Sequence, residues 1–123
     1  MRKLAAALLA LALFALPSTA EASGWHYERM TWYGPHFYGN RTACGQRLTH
    51  PYHDHGLRGV ANRTLPCGTR VTVCVKHRCV RTRVVDRGPY GVSWHLDLTA
   101  QTDIDLVGRP AHTIRRGHWR VGW

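Results

Sequence analysis

The stretch Thr69-Arg70-Val71-Thr72-Val73-Cys74-Val75-Lys76-His77-Arg78-Cys79-Val80-Arg81-Thr82-Arg83-Val84-Val85 decides the architecture. Val71, Val73 and Val75 alternate with Thr72 and Cys74. Val80, Thr82 and Val84 alternate with Arg81 and Arg83. Both halves thus have the two-residue period of a strand with one apolar face, and the polar break between them predicts a hairpin. A two-residue turn at Lys76-His77 sets Val75 opposite Arg78, Cys74 opposite Cys79 and Val73 opposite Val80, with Val71 near Thr82. Lys-His lacks the usual chemistry of such a turn, and a four-residue loop keeps the same register. This register gathers the valines on one face. It also makes Cys74 and Cys79 a non-hydrogen-bonded cross-strand pair, the closer kind, whose separation suits a disulfide. Cys44 and Cys67 are then left to pair with each other.

Working outward, Met30 to Gly34, Gly59 to Ala61, Leu96 to Leu98 and His118 to Trp123 are further short strands, and residues 23 to 29 are a loose leader. Gly, Pro and Asn residues mark the turns between them. Thr99 can cap a helix running to about Val107, stopped by Gly108 and Pro110. Many short strands with one short helix predict a mainly β chain, a small barrel or sandwich.

At the N-terminus, Arg2 and Lys3 precede the apolar run Leu4 to Leu16, then Pro17 and small residues. This is the pattern of a cleaved signal peptide, residues 1–22, with cuts possible after Ala20 or Ala22. The run falls short of the ~20 residues needed to cross a bilayer, so no transmembrane segment is expected after cleavage. Residues 23–123 then form one domain, expected to be a secreted monomer, extracellular or associated with the wall. Export to an oxidising compartment makes two disulfides the default for four cysteines. The formal charge of +10 becomes +9 once Arg2, Lys3 and Glu21 are removed. Such a protein attracts polyanions, outside the cell anionic wall polymers or lipid headgroups. Its basic residues form no nucleic-acid motif, so no specific nucleic acid is expected.

Carboxylates are scarce. Asp103 and Asp105 lie on the predicted helix and are expected to be solvated or to sit near its positive N-terminal end. Asp86 ends the apolar run Val84-Val85 and opens Arg87-Gly88-Pro89-Tyr90. There it can be partly desolvated, with a raised pKa suited to a general acid, or it can accept turn hydrogen bonds or pair with Arg87 or Arg83. Asp97 sits between Leu96 and Leu98, so its side chain alternates away from them, toward whatever cleft the strand lines.

Thr31-Trp32-Tyr33-Gly34-Pro35, Arg41-Thr42-Ala43-Cys44-Gly45, Gly59 to Thr69, Val85-Asp86-Arg87-Gly88-Pro89-Tyr90 and Leu96-Asp97-Leu98-Thr99 occur in that order. Together they resemble the rare lipoprotein A domain, a six-stranded double-psi β-barrel, over about residues 30 to 108. His95-Leu96-Asp97 resembles an element of the expansins. The separation of Asp86 from Asp97, eleven residues, is similar to that of two active-site aspartates in membrane-bound lytic transglycosylase A. The resemblance implies peptidoglycan or another wall glycan as substrate. It also implies lytic cleavage to 1,6-anhydro products, with Asp86 or Asp97 as acid and base. One carboxyl can serve both steps, so the two-carboxylate geometry of ordinary glycosidases is not required. Trp32, Tyr33, Arg87, Tyr90, Trp94 and His95 would hold the sugar, the alternative for Trp32, Tyr33, Tyr90 and Trp94 being packing in the core of a small barrel. Catalytic members often carry Glu where this chain has Gln46 and His where it has Asn62. Those side chains can orient a sugar but cannot transfer a proton at neutral pH. The alternative is therefore a non-catalytic, expansin-like polysaccharide-binding module.

No cofactor and no metal is expected. His50, His53, Asp54 and His55 crowd one loop, but their spacing matches no standard site. Ser93, His95 and Asp97 alternate along one strand and cannot hydrogen-bond in series as a triad. Trp119 and Trp123 are expected in the closing strand.

Overall fold

A computed structural model of the chain describes residues 24–53 and 55–123, so the expected signal peptide and Asp54 lie outside the described residues. The strands are β1 (His26–Tyr33), β2 (Val60–Ala61), β3 (Arg70–Val75), β4 (Arg78–Asp86), β5 (Asp97–Thr99) and β6 (Thr113–Val121), with helix α1 (Ala100–Val107) between the last two. They close into a barrel in the order β1-β5-β2-β4-β3-β6, β6 returning to β1. Two pairs are parallel, β1 with β5 and β2 with β4, and the rest are antiparallel.

The β3–β4 hairpin has the expected register: Val75 faces Arg78, Cys74 faces Cys79, Val73 faces Val80 and Val71 faces Thr82. Lys76 takes a positive φ of 53° to make the turn. The disulfides are Cys74–Cys79, with Cα atoms 4.0 Å apart, and Cys44–Cys67, 5.7 Å apart. Inside the barrel, Val71, Val73 and Val84 meet Met30, Val60, Leu96, Leu98, Ile114 and Trp119. Met30 needs the bare backbone of Gly117 opposite it. A Cβ there would lie 2.1 Å from the Met30 methyl.

Two strands are longer than expected. β1 begins at His26, within the predicted leader, and β6 begins at Thr113. The cause is mutual: His26, Tyr27 and Glu28 pair with Trp119, His118 and Gly117, which supply hydrogen bonds that local sequence does not reveal. Helix α1 is capped as expected. The Thr99 side chain accepts from the Thr102 N–H, and Gly108 ends the helix at φ 80°. Asp103 lies in the first turn of the helix, near its positive end, which is one of the two expected placements, but it is not solvated. Asp103 is 0% exposed. Its Oδ2 accepts from the Ala111 N–H at 2.7 Å and its Oδ1 has no partner. Burial pushes its carboxyl up to about 6, against the pull of that bond. Asp105 pairs with Arg58 at 2.6 Å. α1 packs against β1, β3, β4 and β5 together, contacts a helix can make only across an open end of a barrel.

Candidate active site

Four strands carry the candidate acids into one row. Thr31 on β1 is beside Asp97 on β5, Asp97 is beside Ala61 on β2, and Ala61 is beside Asp86 at the end of β4. Leu98 and Val60 are buried in the core, so Asp97 and Ala61 face out of the barrel by alternation. Asp86 reaches the same face through a register shift. Val60 faces Val84, yet Ala61 faces Asp86, which leaves Val85 as an extra residue. Such a bulge re-aims the side chain that follows it. Two strand spacings separate the aspartate backbones, roughly 10 Å, and small Ala61 between them leaves an open floor.

The two carboxyls meet different surroundings. Three donors converge on Asp86: Oδ1 accepts from the Ala43 N–H (2.8 Å) and the Arg87 N–H (2.9 Å), and Oδ2 from the Tyr33 hydroxyl (3.0 Å). Its turn hydrogen bonds are thus of the expected kind, but among the described residues no arginine side chain pairs with it. Asp97 accepts one bond, from Thr31 Oγ1 at 3.0 Å, and Thr31 in turn accepts from Trp94 Nε1 at 3.1 Å. Burial pushes the Asp97 carboxyl up to about 6, the Thr31 bond opposes this, and the Asp86 charge adds to it. Burial, followed by the nearby Asp86 charge, also raises Tyr33 well above an ordinary phenol.

Loops build a cleft of about 520 Å³ over this row, lined by Tyr33, Phe37, Arg41, Tyr90 and both aspartates among others. Phe37 and Tyr90 stand 54% and 70% exposed at its edge, large apolar surfaces left in solvent. The Cys44–Cys67 disulfide ties the loop bearing Ala43 to the turn at Cys67. Gly88, at φ 119°, lets the chain turn away directly after Asp86 and Arg87.

Other expected sugar-holding residues have different neighbours. Arg87 borders the cleft, but its guanidinium donates to the carbonyls of Asn62 and Leu65. Asn62 is buried, its Nδ2 donating to the His95 carbonyl and its Oδ1 accepting from the Thr64 and Leu65 N–H groups. Its oxygen and one of its two amide N–H groups are thus committed to backbone, which makes the side chain a structural knot. Gln46 lies outside the cleft, in a separate hollow with Arg58 and Trp123. Trp32 packs against the core. Trp94 stands behind Thr31, and His95 bonds through Nδ1 and its backbone N–H to Glu28, each at 2.8 Å. Burial alone would raise Glu28, but bonds from His95 and Trp119 outweigh it and hold the carboxyl below its ordinary value. Of the His-rich loop, His50 packs on Tyr38 and His53 on Tyr52. Among the described residues no group of three or more His, Cys, Asp or Glu could hold a metal ion.

Sequence reasoning missed Thr31 and Phe37. Thr31 precedes Tyr33 by two on β1 and so shares its face, a signal that becomes useful only once β1 is known to lie beside β5. Phe37 sits among turn residues with no periodicity to mark it.

No family model matches the chain. It is 43% identical over 72 residues to a probable endolytic peptidoglycan transglycosylase RlpA of Synechocystis, covering 57% of this chain and 21% of that protein. To the endolytic peptidoglycan transglycosylase RlpA of Campylobacter jejuni it is 35% identical over 89 residues, 69% of this chain and 30% of that one. The chain therefore spans less than a third of these curated relatives. Among solved structures, Streptomyces papain inhibitor aligns with a TM-score of 0.61 at 22% identity, over 80% of this chain and 94% of its own. The apo expansin of Clavibacter michiganensis aligns at 0.57 and 20% identity, over 80% and 50%.

Proposed function

Since the described residues form an RlpA-like double-psi β-barrel related to the expansins, we propose that the protein acts at the cell wall as a peptidoglycan lytic transglycosylase with Asp97 as its acid and base. The observation that carries this reading is the Asp97 carboxyl, raised to about 6 by burial, in a cleft it shares with Asp86. A carboxyl that is substantially protonated near the working pH can act as a general acid.

In the proposed reaction Asp97 gives its proton to the glycosidic oxygen between N-acetylmuramic acid and N-acetylglucosamine as the C1–O bond breaks. The N-acetylglucosamine leaves with a free hydroxyl. Asp86, held by Tyr33, Ala43 and Arg87, faces the positive charge that develops at C1. The muramic acid 6-hydroxyl then attacks C1, its proton returns to Asp97, and a 1,6-anhydro ring closes. No water is consumed and Asp97 ends protonated. Phe37 and Tyr90 offer exposed rings for the apolar faces of the sugars.

The second reading is an expansin-like module that binds glycan without cutting it. It is favoured by Asn62, whose side chain is bonded wholly to backbone where catalytic relatives often carry histidine. Gln46 weighs less, because its position lies outside the cleft. The test is to incubate the oxidised protein with intact and peptide-stripped peptidoglycan and analyse the products by mass spectrometry, alongside Asp97→Asn and Asp86→Asn. New 1,6-anhydro ends that vanish with Asp97→Asn are expected. Wall binding with no new ends in any form would replace catalysis with the binding module.

A further inference from the structure

On the outer wall of β3, β4 and β6 lies a cluster of cations with no acidic side chain among them. The hairpin register sets Arg70 opposite Arg83 and Thr72 opposite Arg81, and β6 sets Arg120 against the other side of Thr72. These positions alternate with the buried Val71, Val73, Val84 and Trp119, so their side chains lie outside the barrel. Like charges directly opposite on neighbouring strands destabilise a sheet. Here a ring holds the pair together: the Arg70 and Arg83 guanidinium groups lie 4.3 and 5.4 Å from the centre of the Trp123 ring. Arg81 is exposed and has no hydrogen-bond or ion-pair partner among the described residues. A hollow of about 320 Å³ runs beside Arg81, Arg83 and Trp123. The acidic side chains of the described residues are engaged elsewhere: Glu28 with His95 and Trp119, Asp86 and Asp97 in the cleft, Asp103 with Ala111 and Asp105 with Arg58.

We propose that this face is a second binding site, for a linear phosphodiester polymer of the cell envelope, separate from the glycan cleft. Alternate residues along a strand are about 7 Å apart and neighbouring strands about 4.8 Å. The four arginines therefore form a flat array of unneutralised charge, wider than one small anion can span. A chain of phosphates can engage them together, and guanidinium forks match phosphate oxygens two at a time. A single-stranded nucleic acid would instead need free aromatic faces for its bases. Trp123 is already engaged by two cations, so the charge is offered without a stacking platform.

The test measures binding of fluorescently labelled poly(glycerol phosphate) to the oxidised protein by anisotropy, from 50 to 200 mM salt. Arg81→Gln removes an exposed, unpartnered side chain and leaves the fold intact. It should weaken binding roughly five- to tenfold and make the salt dependence shallower by about one counterion. Arg109→Gln, the same change of charge in the exposed turn after α1, should change neither. Equal losses in both variants would mean attraction to net charge alone and overturn the site, as would unaltered binding by Arg81→Gln. Tighter binding of oligo-dT, or binding confined to anionic vesicles, would overturn the assignment of the occupant. Release of 1,6-anhydro ends from polymer-free peptidoglycan should be unchanged by Arg81→Gln. If no such ends form with any variant while polymer binding follows the pattern above, the cleft reading fails and this one stands.

Discussion

The β3–β4 hairpin and the row Thr31–Asp97–Ala61–Asp86 belong to the same barrel but are put together by different means. In the hairpin, every cross-strand partner is fixed by a two-residue turn, so the contacts are local and the register follows from the valine alternation. In the row, neighbours come from four strands spread along the chain, through two parallel pairings and a register shift at Val85. The hairpin supplies core and outer charge, and the row supplies chemistry. Local contacts tolerate perturbation elsewhere, whereas the row depends on several distant segments being seated at once.

The largest expected effect separates chemistry from scaffold. Asp97→Asn should lower the rate of 1,6-anhydro formation by roughly 10²–10⁴ while leaving the fold intact, and near neutral pH it should raise stability because a buried charge is removed. In the native protein the rate should fall as pH rises through about 6, where Asp97 loses its proton. A rate that climbs through that range would break the assignment.

Next come the disulfides. Cys44–Cys67 closes a separation of 23 residues and Cys74–Cys79 one of 5. Chain entropy then assigns about 3 kcal/mol to the first and about 2 kcal/mol to the second. Replacing Cys44 and Cys67 with serine should also reduce activity, because the loop they anchor presents the Ala43 N–H to Asp86. Replacing Cys74 and Cys79 should leave activity intact once the protein is folded. Denaturant titrations and product assays on both double variants check this contrast.

Outside both regions, Asp103 tests whether the pH dependence of stability is distinct from that of catalysis. Asp97 and Asp103 are both raised to about 6, from an ordinary 3.8. A raised carboxyl contributes stability that is fully present below about 4 and lost as pH rises through about 6. Asp103→Asn keeps an oxygen for the Ala111 N–H and should flatten its share of that loss, on the order of 2 kcal/mol. Urea unfolding at pH 4.5 and 7.5 measures it, and the pH dependence of the rate should not follow.

The smallest effect is at Thr31. Its hydroxyl lowers Asp97, so Thr31→Val should let the Asp97 titration move up and extend activity to higher pH, a change of about 1 kcal/mol or less, as for one hydrogen bond. A shift toward lower pH would show that the bond does not act on Asp97.

The amino-acid sequence by itself determined what neighbouring residues decide. The hairpin register, the Cys74–Cys79 bond, the Thr99 cap and the outward direction of Asp97 all follow from two-residue alternation or from residues a few positions apart. The tertiary structure alone decided the rest. β1 extends back to His26 because β6 lies beside it. Asn62 spends its side chain on the His95, Thr64 and Leu65 backbones, and Asp103, in the first turn of its helix, is fully buried, which helical position alone does not reveal. Above all, the extra residue at Val85 turns Asp86 onto the face of Asp97. The physical reason is that parallel pairing, a bulge and the burial of a charge each depend on segments far apart in the chain. Their energies are settled only when the barrel closes.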